Sequence, residues 1–416
     1  MKIILVNYRY FISGGPERYY FNIKEILERN GHEIIPFSIK SSRNFDAGEY
    51  EKYFLDIVDD EVYFAQAKKK TPMMILKSFT RMFYSFEAKQ KMKQLLMDTK
   101  PDLVYIMQYH NKISPSIIDA ARSLNVPVVH RISDFQYMCP NALFYNDKIG
   151  VCEDCLKGNV WSCVKYRCVL NSPVYSGIKM MAKWMHDVIK VTKNINSFIV
   201  PSAFTLEKLK EYGIPNEKLN HIPTFFNLKE VDPKVEYQPY VLFVGRIEKQ
   251  KGLMTLVQAF ERLPYKLKII GFSNDGYEEE LKSYLEGKKH HIEFLGRKKF
   301  EEIVPCLKSC LCTVVPSEWY DNFPNVVLES YAFKKAVIAT DFGSLQYMVH
   351  EGETGLKFKY ADINDFRKKI IYMFEHMDEA KKMGEKGYEL IETKYSPETH
   401  YQTLMNVFDS ILSNVK

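Results

Sequence analysis

The sequence predicts an α/β protein of two doubly wound domains that face each other across a cleft. Its 416 residues exceed the roughly 250 to 300 that one hydrophobic core supports. Short β-branched runs alternate with helical stretches, which is the pattern of parallel βαβ units. The alternation starts again after a proline-containing stretch at residues 221–239. These observations favour two similar domains joined by a linker.

Each predicted strand is a short apolar run. In the first domain the runs are residues 3–6, 33–39, 103–107, 126–130 and 198–200. In the second domain they are residues 240–244, 266–270, 292–295, 312–315 and 336–340. A last helix starts at Ser396-Pro397, because proline suits the first helical position, and we expect it to pack back onto the first domain. The predicted domains are therefore residues 1–222 with helix 397–416, and residues 223–396.

Composition argues against several classes of protein. With 46% apolar and 26% charged residues, the chain has the composition of a folded protein and not of a disordered or fibrous one. No apolar stretch reaches the roughly 18 residues of a membrane-spanning helix, and the run at residues 3–6 is too short for a signal-peptide core. We therefore expect a cytoplasmic protein. The formal net charge of +6 permits an acidic partner, such as phospholipid or a phosphorylated small molecule, without requiring nucleic acid.

A glycine turn, Gly14-Gly15, stands between the first strand and a helical pattern. Glycine has no Cβ, so the backbone N–H groups at the helix start can approach a phosphate or a sugar hydroxyl closely. A tight turn without a ligand is the alternative. The sequence has neither the dinucleotide-binding fingerprint nor a Walker A motif, which argues against NAD enzymes and P-loop NTPases.

Two cations, Arg246 and Lys251, lie in the loop after the first strand of the second domain. Arg246 can bind two phosphate oxygens at once and Lys251 can act as a point charge. Together they can neutralise a diphosphate leaving group. The alternative is a pair of solvated surface cations.

Two acids, Asp321 and Glu329, flank the start of a helix that we expect near Pro324. That helix N-terminus would direct its N–H groups at an anion. Carboxylates accept hydrogen bonds from sugar hydroxyls, so cations for phosphate and acids for hydroxyls predict a nucleotide-sugar pocket. The alternative is an N-cap aspartate and a glutamate on the helix surface.

These motifs occur in an order that resembles glycosyltransferase family 4, a group with the GT-B fold of two Rossmann-like domains. The resemblance rests on Gly14-Gly15, on the Gly-Arg-x4-Lys-Gly element at 245–252, and on the acid-x7-acid element that ends at Glu329. Segments 85–88, 101–104, 114–117 and 134–140 resemble polysaccharide and lipopolysaccharide glycosyltransferases in particular.

The resemblance implies a retaining, metal-independent hexosyltransferase that moves a sugar from a nucleotide-sugar donor to a glycan or lipid-linked glycan in cell-surface polysaccharide synthesis. The second domain would bind the donor and the first the acceptor. By this analogy Arg246 and Lys251 would hold the diphosphate, Glu329 the ribose, and Asp321 the sugar hydroxyls. The other expected donor contacts are Gly14, Gly15, Arg297, Asn322, Phe323, Pro324 and Asn325.

Two positions depart from the family pattern. Asp321 stands where the family usually has a glutamate, one methylene longer, and this bears on donor identity more than on activity. Ser133 stands before Asp134 where the family has a histidine. The nearest histidine, His130, ends a predicted strand, and we consider it either a catalytic residue or a core residue. Asp134 and His110 are the weaker candidates, for acceptor binding.

Five cysteines fall between residues 139 and 168. Four thiolates suit a structural zinc ion with no open position for water, and we expect Cys139, Cys152, Cys155 and Cys168 as ligands, with Cys163 spare. Free thiols in an irregular loop are the alternative. No Asp-x-Asp motif follows a strand, so we expect no catalytic metal and no other cofactor for catalysis.

Residues 68–93 combine eight lysines and arginines with apolar residues at helical spacing. They predict a basic amphipathic helix that lies either on the inner face of an anionic membrane, which a lipid-linked acceptor favours, or on the domain surface. Two other functions stay open. A nucleotide-sugar epimerase or hydrolase on the same fold would form product without an acceptor, and a non-catalytic zinc-containing binding protein would turn nothing over.

Overall fold

The structure is a computed structural model of the chain that describes residues 1–56, 72–228 and 234–415. In these ranges the strands are β1 (Lys2–Asn7), β2 (Glu33–Phe37), β3 (Leu103–Gln108), β4 (Val128–Arg131), β5 (Tyr145–Asn146), β6 (Gly150–Val151), β7 (Ser197–Val200), β8 (Leu219–His221), β9 (Tyr240–Val244), β10 (Lys266–Ile270), β11 (Ile292–Phe294), β12 (Cys312–Val315), β13 (Ala336–Thr340) and β14 (Gly355–Phe358). The α-helices are α1 (Gly15–Arg29), α2 (Pro72–Phe83), α3 (Phe86–Thr99), α4 (Ser116–Ser123), α5 (Ser162–Lys165), α6 (Pro173–Val188), α7 (Ala203–Glu211), α8 (Leu253–Phe260), α9 (Tyr277–Leu285), α10 (Phe300–Ser309), α11 (Asn325–Ala332), α12 (Leu345–Met348), α13 (Ile363–Glu375), α14 (Met377–Thr393) and α15 (Pro397–Val415).

Each domain is built on one parallel sheet. The first sheet has six strands in the order β2-β1-β3-β4-β7-β8, and the second has six in the order β11-β10-β9-β12-β13-β14. The chain winds outward in both directions from β1 in the first sheet and from β9 in the second, which makes both sheets doubly wound. Ligands of such sheets gather beyond the carboxyl ends of the strands where the winding reverses.

Both faces of the first sheet are buried. Ile4 belongs to one buried apolar cluster and Ile3 to another, because successive side chains of a strand point to opposite faces. The cluster of Ile3 includes Leu404 and Phe408 of α15. The last helix therefore packs on the first domain.

The observed strands differ from the predicted ones mainly at their ends. Strand β2 ends at Phe37, and β4 begins at Val128, after Pro127, which has no N–H for the ladder. The β5–β6 hairpin has strands of only two residues, and β8 and β14 contain Asn220, His221, Gly355 and Lys357, so none of them forms the apolar run by which the other strands were predicted. Strand β8 includes His221, the first residue of the predicted linker.

The predicted basic helix is two helices. Helix α2 ends at Phe83 and α3 begins at Phe86, where the Ser85 side chain accepts a capping hydrogen bond. Residues 57–71, which include the lysines at 68–70, and residues 229–233 of the predicted linker lie outside the described residues. In the part of the chain that the structure describes, no helix combines the length and apolar character needed to cross a membrane.

Candidate active site

A cavity of about 280 Å³ lies in the cleft between the two domains. Residues from both domains line it, among them Gly15, Arg131 and Asp134 of the first and Arg246, Asp321 and Asn325 of the second. The loops that carry these residues follow β1, β4, β9 and β12. The cavity therefore lies at the carboxyl ends of the strands of both sheets, where ligands of such sheets bind.

The predicted glycine turn contacts the second domain. A Cβ on Gly15 would lie 2.6 Å from Asn325 Nδ2, closer than side chains approach, so glycine suits the point where α1 meets α11. Gly14 precedes α1 and Pro324 precedes α11, and neither helix has a side-chain cap. Two uncapped helix N-termini thus meet at the cavity, and both favour a negatively charged ligand.

The predicted phosphate-binding lysine and the predicted sugar-binding acid contact each other. Lys251 Nζ lies 2.6 Å from Asp321 Oδ1, and Ser317 Oγ donates a 2.5 Å hydrogen bond to Asp321 Oδ2. Asp321 is only 7% exposed. The Lys251 ammonium also lies 5.0 Å from the ring centre of Trp319. An anion that enters the cavity therefore competes with Asp321 for Lys251.

Close backbone contact between two loops produces this pairing. Gly252 has a φ of +68°, and a Cβ there would lie 1.9 Å from the carbonyl oxygen of Pro316. The Glu318 amide donates a 2.8 Å hydrogen bond to the carbonyl of Gln250. Only glycine permits this approach, which places the loop after β9 against the loop after β12.

Arg246 is also paired with a carboxylate. Its Nη1 lies 2.5 Å from Glu248 Oε1, and the arginine side chain is 47% exposed. Burial raises the pKa of Glu248, and the neighbouring Arg246 opposes that rise. Arg246 is therefore an accessible cation on the cavity wall whose present partner is a local carboxylate.

Glu329 forms a salt bridge to the other domain. Its Oε1 lies 3.2 Å from Nη1 of Arg18 on α1. Burial raises the pKa of Glu329, and the charge of Arg18 lowers it. The guanidinium of Arg18 also lies 4.7 Å from the ring centre of Phe300. Arg18 lies three residues after Gly15, but spacing along the chain does not indicate a partner more than three hundred residues away.

Asn322 links the two domains by hydrogen bonds. Its Oδ1 accepts a 2.6 Å bond from Thr205 Oγ1, and its Nδ2 donates a 3.1 Å bond to the carbonyl of Ile132. Phe323 lines the cavity beside it. The segment between the two predicted acids therefore positions the domains as well as lining the site.

Arg297 lies apart from these residues. It follows β11, it is exposed, and its guanidinium lies 4.6 Å from the ring centre of Phe272. It is not among the residues that line the 280 Å³ cavity. Its expected contact with a nucleotide base stays a prediction.

Arg131 is a site residue that sequence reasoning missed. It ends β4, is 6% exposed and lines the cavity. Its guanidinium stacks 3.9 Å from the ring centre of Tyr19, and Nη2 donates a 2.7 Å hydrogen bond to Thr224 Oγ1. An arginine at the carboxyl end of an apolar strand, next to His130, is the signal that could have revealed it.

Neither predicted histidine lines the cavity, since His130 lies in the core and His110 is partly buried beside it. His130 is 1% exposed, and its Nδ1 lies 2.8 Å from the hydroxyl of Tyr137. Burial lowers the pKa of His130 to about 3, and it lowers the pKa of His110 well below the usual value. His130 therefore corresponds to the core alternative, because the side chain that follows it along β4 points the other way, to the cleft.

Asp134, in contrast, lines the cavity. Burial raises its pKa to about 6, while the amide of Gln136 and the charge of Lys179 oppose the rise. A carboxylate with this pKa changes charge close to neutral pH. Asp134 belongs to the part of the lining that comes from the first domain, and Arg246 to the part from the second.

The cysteines of the predicted zinc site line one small cavity. The lining includes Cys139, Cys152, Cys155, Cys163 and Cys168, and all five are free thiols. Cys163, expected to be spare, belongs to the cluster, since its hydrogen bond to Cys168 lowers the pKa of the Cys168 thiol to about 7. No three or more His, Cys, Asp or Glu side chains in the described ranges are arranged to hold a metal ion. Zinc therefore stays a prediction from the sequence.

Relatives of known sequence cover parts of the chain. The uncharacterized glycosyltransferase MJ1178 of Methanocaldococcus jannaschii is 33% identical over 172 residues, which are 41% of this chain and 48% of that protein. The lipopolysaccharide core biosynthesis glycosyltransferase LpsE of Rhizobium meliloti is 28% identical over 164 residues, 38% of this chain and 46% of that protein. The chain thus spans about half the length of these curated relatives.

Solved structures match the whole fold. Sucrose-phosphate synthase from Thermosynechococcus elongatus superposes with a TM-score of 0.69 at 19% identity and covers 99% of both chains. Anabaena HepE in complex with UDP-glucose superposes with a TM-score of 0.64 at 15% identity, covering 99% of this chain and 100% of that one. At these identities the likeness is one of fold.

Two family models together match almost the entire chain. The model of glycosyl transferases group 1 matches residues 225–390. The model of glycosyltransferase family 4 matches residues 13–230, more than half of the chain. Together with the two facing parallel sheets, these matches show that the chain belongs to glycosyltransferase family 4 and has the GT-B fold.

Proposed function

We propose that the chain is a retaining glycosyltransferase that moves a sugar from a nucleoside diphosphate sugar to a glycan or lipid-linked glycan acceptor. One observation carries the proposal. Arg246 lines the cavity, Lys251 of the same loop contacts Asp321 on the cavity wall, and each cation thus has a carboxylate partner that a diphosphate can replace. The UDP-glucose in the HepE structure supports this donor class. The name of the Rhizobium relative supports a product in cell-surface polysaccharide synthesis.

The donor exchanges contacts with the two cations. Diphosphate oxygens replace Glu248 at Arg246 and Asp321 at Lys251, and the N–H groups at the start of α11 add further donors. Asp321, released from Lys251 but still held by Ser317, then accepts hydrogen bonds from sugar hydroxyls. Binding thus uses a cation and a carboxylate that are already in place.

Transfer breaks the bond between the anomeric carbon and the diphosphate oxygen and forms a bond from the acceptor oxygen on the same face of the sugar. Negative charge develops on the diphosphate, and Arg246 and Lys251 stabilise it. The proton of the acceptor hydroxyl passes to the departing diphosphate. We assign no nucleophile of the protein, and Asp134 holds the acceptor hydroxyl.

Two side-chain cations neutralise the diphosphate in this scheme, so we expect transfer to continue without added divalent cation. Activity in the presence of EDTA, compared with activity in added magnesium, tests this point. A strict requirement for magnesium would contradict it.

The decisive experiment compares Arg246→Ala with Lys249→Ala. Both residues are about half exposed, at 47% and 49%, and both form a surface salt bridge in the same loop region. Calorimetric titration with UDP, GDP, ADP and CMP and their sugars measures binding in each variant. We expect Arg246→Ala to weaken binding of one nucleoside diphosphate by roughly tenfold or more, the value of a lost charge-assisted contact, and Lys249→Ala to leave it unchanged.

The same preparations distinguish the two other functions. An epimerase or hydrolase would release altered or free sugar from the donor without an acceptor. A non-catalytic binding protein would bind nucleotide and yield no product with any acceptor. Equal binding by Arg246→Ala and Lys249→Ala would reject the proposed donor site.

A further inference from the structure

Arg131 is a buried cation on the cavity wall whose polar partners carry no charge. Its Nη1 donates a 3.3 Å hydrogen bond to Ser133 Oγ, and its Nη2 donates a 2.7 Å hydrogen bond to Thr224 Oγ1. Its Nε is buried and has no hydrogen-bond partner. In the part of the chain that the structure describes, no carboxylate forms a salt bridge with Arg131. The positive charge of this side chain is therefore uncompensated.

Comparable cations of the chain do have carboxylate partners. Arg81 is the other buried arginine among the described residues, and its Nη2 lies 3.2 Å from Glu87 Oε2. In the cleft itself, Arg246 and Lys251 each pair with an acid. A buried charge without a partner lowers the stability of the folded chain, because desolvation is not offset. The exception at Arg131 therefore indicates that a ligand supplies the missing negative charge.

Packing holds the Arg131 guanidinium at the cavity wall. One of its faces lies 3.9 Å from the ring centre of Tyr19. The Tyr19 hydroxyl lies 2.8 Å from Nε2 of His400 on α15, and the Nδ1 of the same ring lies 2.8 Å from the carbonyl oxygen of Pro223. A cation that is already fixed in place loses little side-chain entropy when it binds an anion.

The position of Arg131 favours the acceptor over the donor as the source of this anion. Arg131 and Asp134 line the cavity from the first domain, whereas Arg246 and Asp321 line it from the second. In the proposed function the donor diphosphate contacts Arg246 and Lys251, and Asp134 holds the acceptor hydroxyl. Arg131 is then the cation of the cavity wall that these contacts do not use. A cation near a carboxylate suits an acceptor that has both an anionic group and a hydroxyl.

We propose that Arg131 binds an anionic group of the acceptor, so that the acceptor is an acidic glycan with a carboxylate or a phosphate ester on the sugar that accepts the transfer. The planar guanidinium donates parallel hydrogen bonds to the oxygens of either group. This proposal rests on the proposed function, since it takes the donor to occupy the second domain. It adds the chemical class of the acceptor.

Three small probes test the proposal on the full chain. They are methyl glucuronide, which has a carboxylate, glucose 6-phosphate, and the neutral methyl glucoside. Each is titrated by ligand-observed NMR while the nucleoside diphosphate that binds the wild-type chain saturates the donor site. We expect one acidic probe to bind roughly tenfold or more tightly than methyl glucoside, as for a charge-assisted contact, and added salt to reduce this preference. The preferred probe distinguishes carboxylate from phosphate, and equal binding of all three, or no binding of either acidic probe, would overturn the proposal.

Two variants at Arg131 assign the preference to this side chain. Arg131→Gln removes the charge, and we expect the preference for the acidic probe to disappear while the affinities for methyl glucoside and the nucleoside diphosphate stay unchanged. Arg131→Lys keeps the charge and should retain part of the preference. Arg122→Gln is the matched control, because Arg122 is an exposed arginine of the first domain that donates a 2.9 Å hydrogen bond to Asn194 and does not line the cavity. Circular dichroism and thermal melting verify that the variants fold.

The possible failures give different results. Weaker binding of the nucleoside diphosphate by Arg131→Gln, with equal binding of all probes, would assign Arg131 to the donor; it would reject the acidic acceptor and leave the proposed function standing. Equal results for Arg131→Gln and Arg122→Gln would reduce Arg131 to a structural role and reject the proposal. Calorimetry that finds no nucleotide binding by the wild-type chain would reject the proposed function itself, and the acidic acceptor with it.

Discussion

Arg18 of α1 and Glu329 of α11 form a salt bridge between the two domains, with 3.2 Å between Nη1 and Oε1. Replacement of Arg18 by leucine removes the charge that keeps the pKa of Glu329 from rising further with burial. In this variant Glu329 takes up a proton at a higher pH than in the wild-type chain. The protonated carboxyl accepts a hydrogen bond from a ribose hydroxyl less strongly than the carboxylate does. We expect nucleotide binding by Arg18→Leu to weaken more at acidic than at alkaline pH, by up to about tenfold.

Calorimetric titration across pH measures this effect. Arg29→Leu is the control, because Arg29 lies on the same helix, is similarly exposed and pairs with Glu398 at 3.9 Å, away from the cleft. A uniform loss of affinity at every pH would show that Arg18 acts only on domain geometry.

Loss of the salt bridge between Lys251 and Asp321 should lower the free energy of unfolding, apart from any effect on activity. Lys251→Met leaves Asp321 nearly buried with only Ser317 as partner. We expect a loss of about 1–3 kcal/mol in the free energy of unfolding. The double variant Lys251→Met with Asp321→Asn should recover part of the lost free energy of unfolding, because asparagine carries no unpaired negative charge. Denaturant unfolding measures both, and Lys249→Met, at an exposed pair, should cost at most about 1 kcal/mol.

The raised pKa of the Asp134 carboxyl leads us to expect that sugar transfer depends on pH. Its pKa is raised to about 6, so the carboxyl is neutral below that pH and ionised above it. Only the ionised group accepts a hydrogen bond with full strength from an acceptor hydroxyl. We expect kcat/KM for the acceptor to fall as pH drops through about 6. The profile of Asp134→Asn should be low and flat in that range. An unchanged profile in the variant would remove Asp134 from the acceptor site.

The cysteine cluster predicts the metal content of the purified protein. Five thiols line one cavity, and four thiolates satisfy zinc. We expect about one zinc per chain by elemental analysis, and a lower thermal stability after chelation. Cys152→Ser should lose the metal, whereas Cys306→Ser, outside the cluster, should retain it. No bound metal in the native protein, and unchanged thermal stability after chelation, would support free thiols.

Local motifs were readable from the sequence because they depend on neighbours along the chain. Gly252 shows this, since a glycine between a strand and a helix marks a tight turn wherever the chain goes next. The alternation of strands and helices predicted the two sheets for the same reason. The β5–β6 hairpin was missed because two-residue strands show no period, and β14 was missed because Gly355 and Lys357 interrupt its apolar pattern.

The sequence by itself determined the two doubly wound domains, the loop that carries Arg246 and Lys251, and the cysteine-rich segment. Only the tertiary structure decided that Lys251 pairs with Asp321, that Arg18 reaches Glu329, and that Arg131 and not His130 lines the cleft. The reason is physical. Backbone propensity and apolar periodicity act over a few residues, whereas the partners of a side chain depend on how separate elements pack.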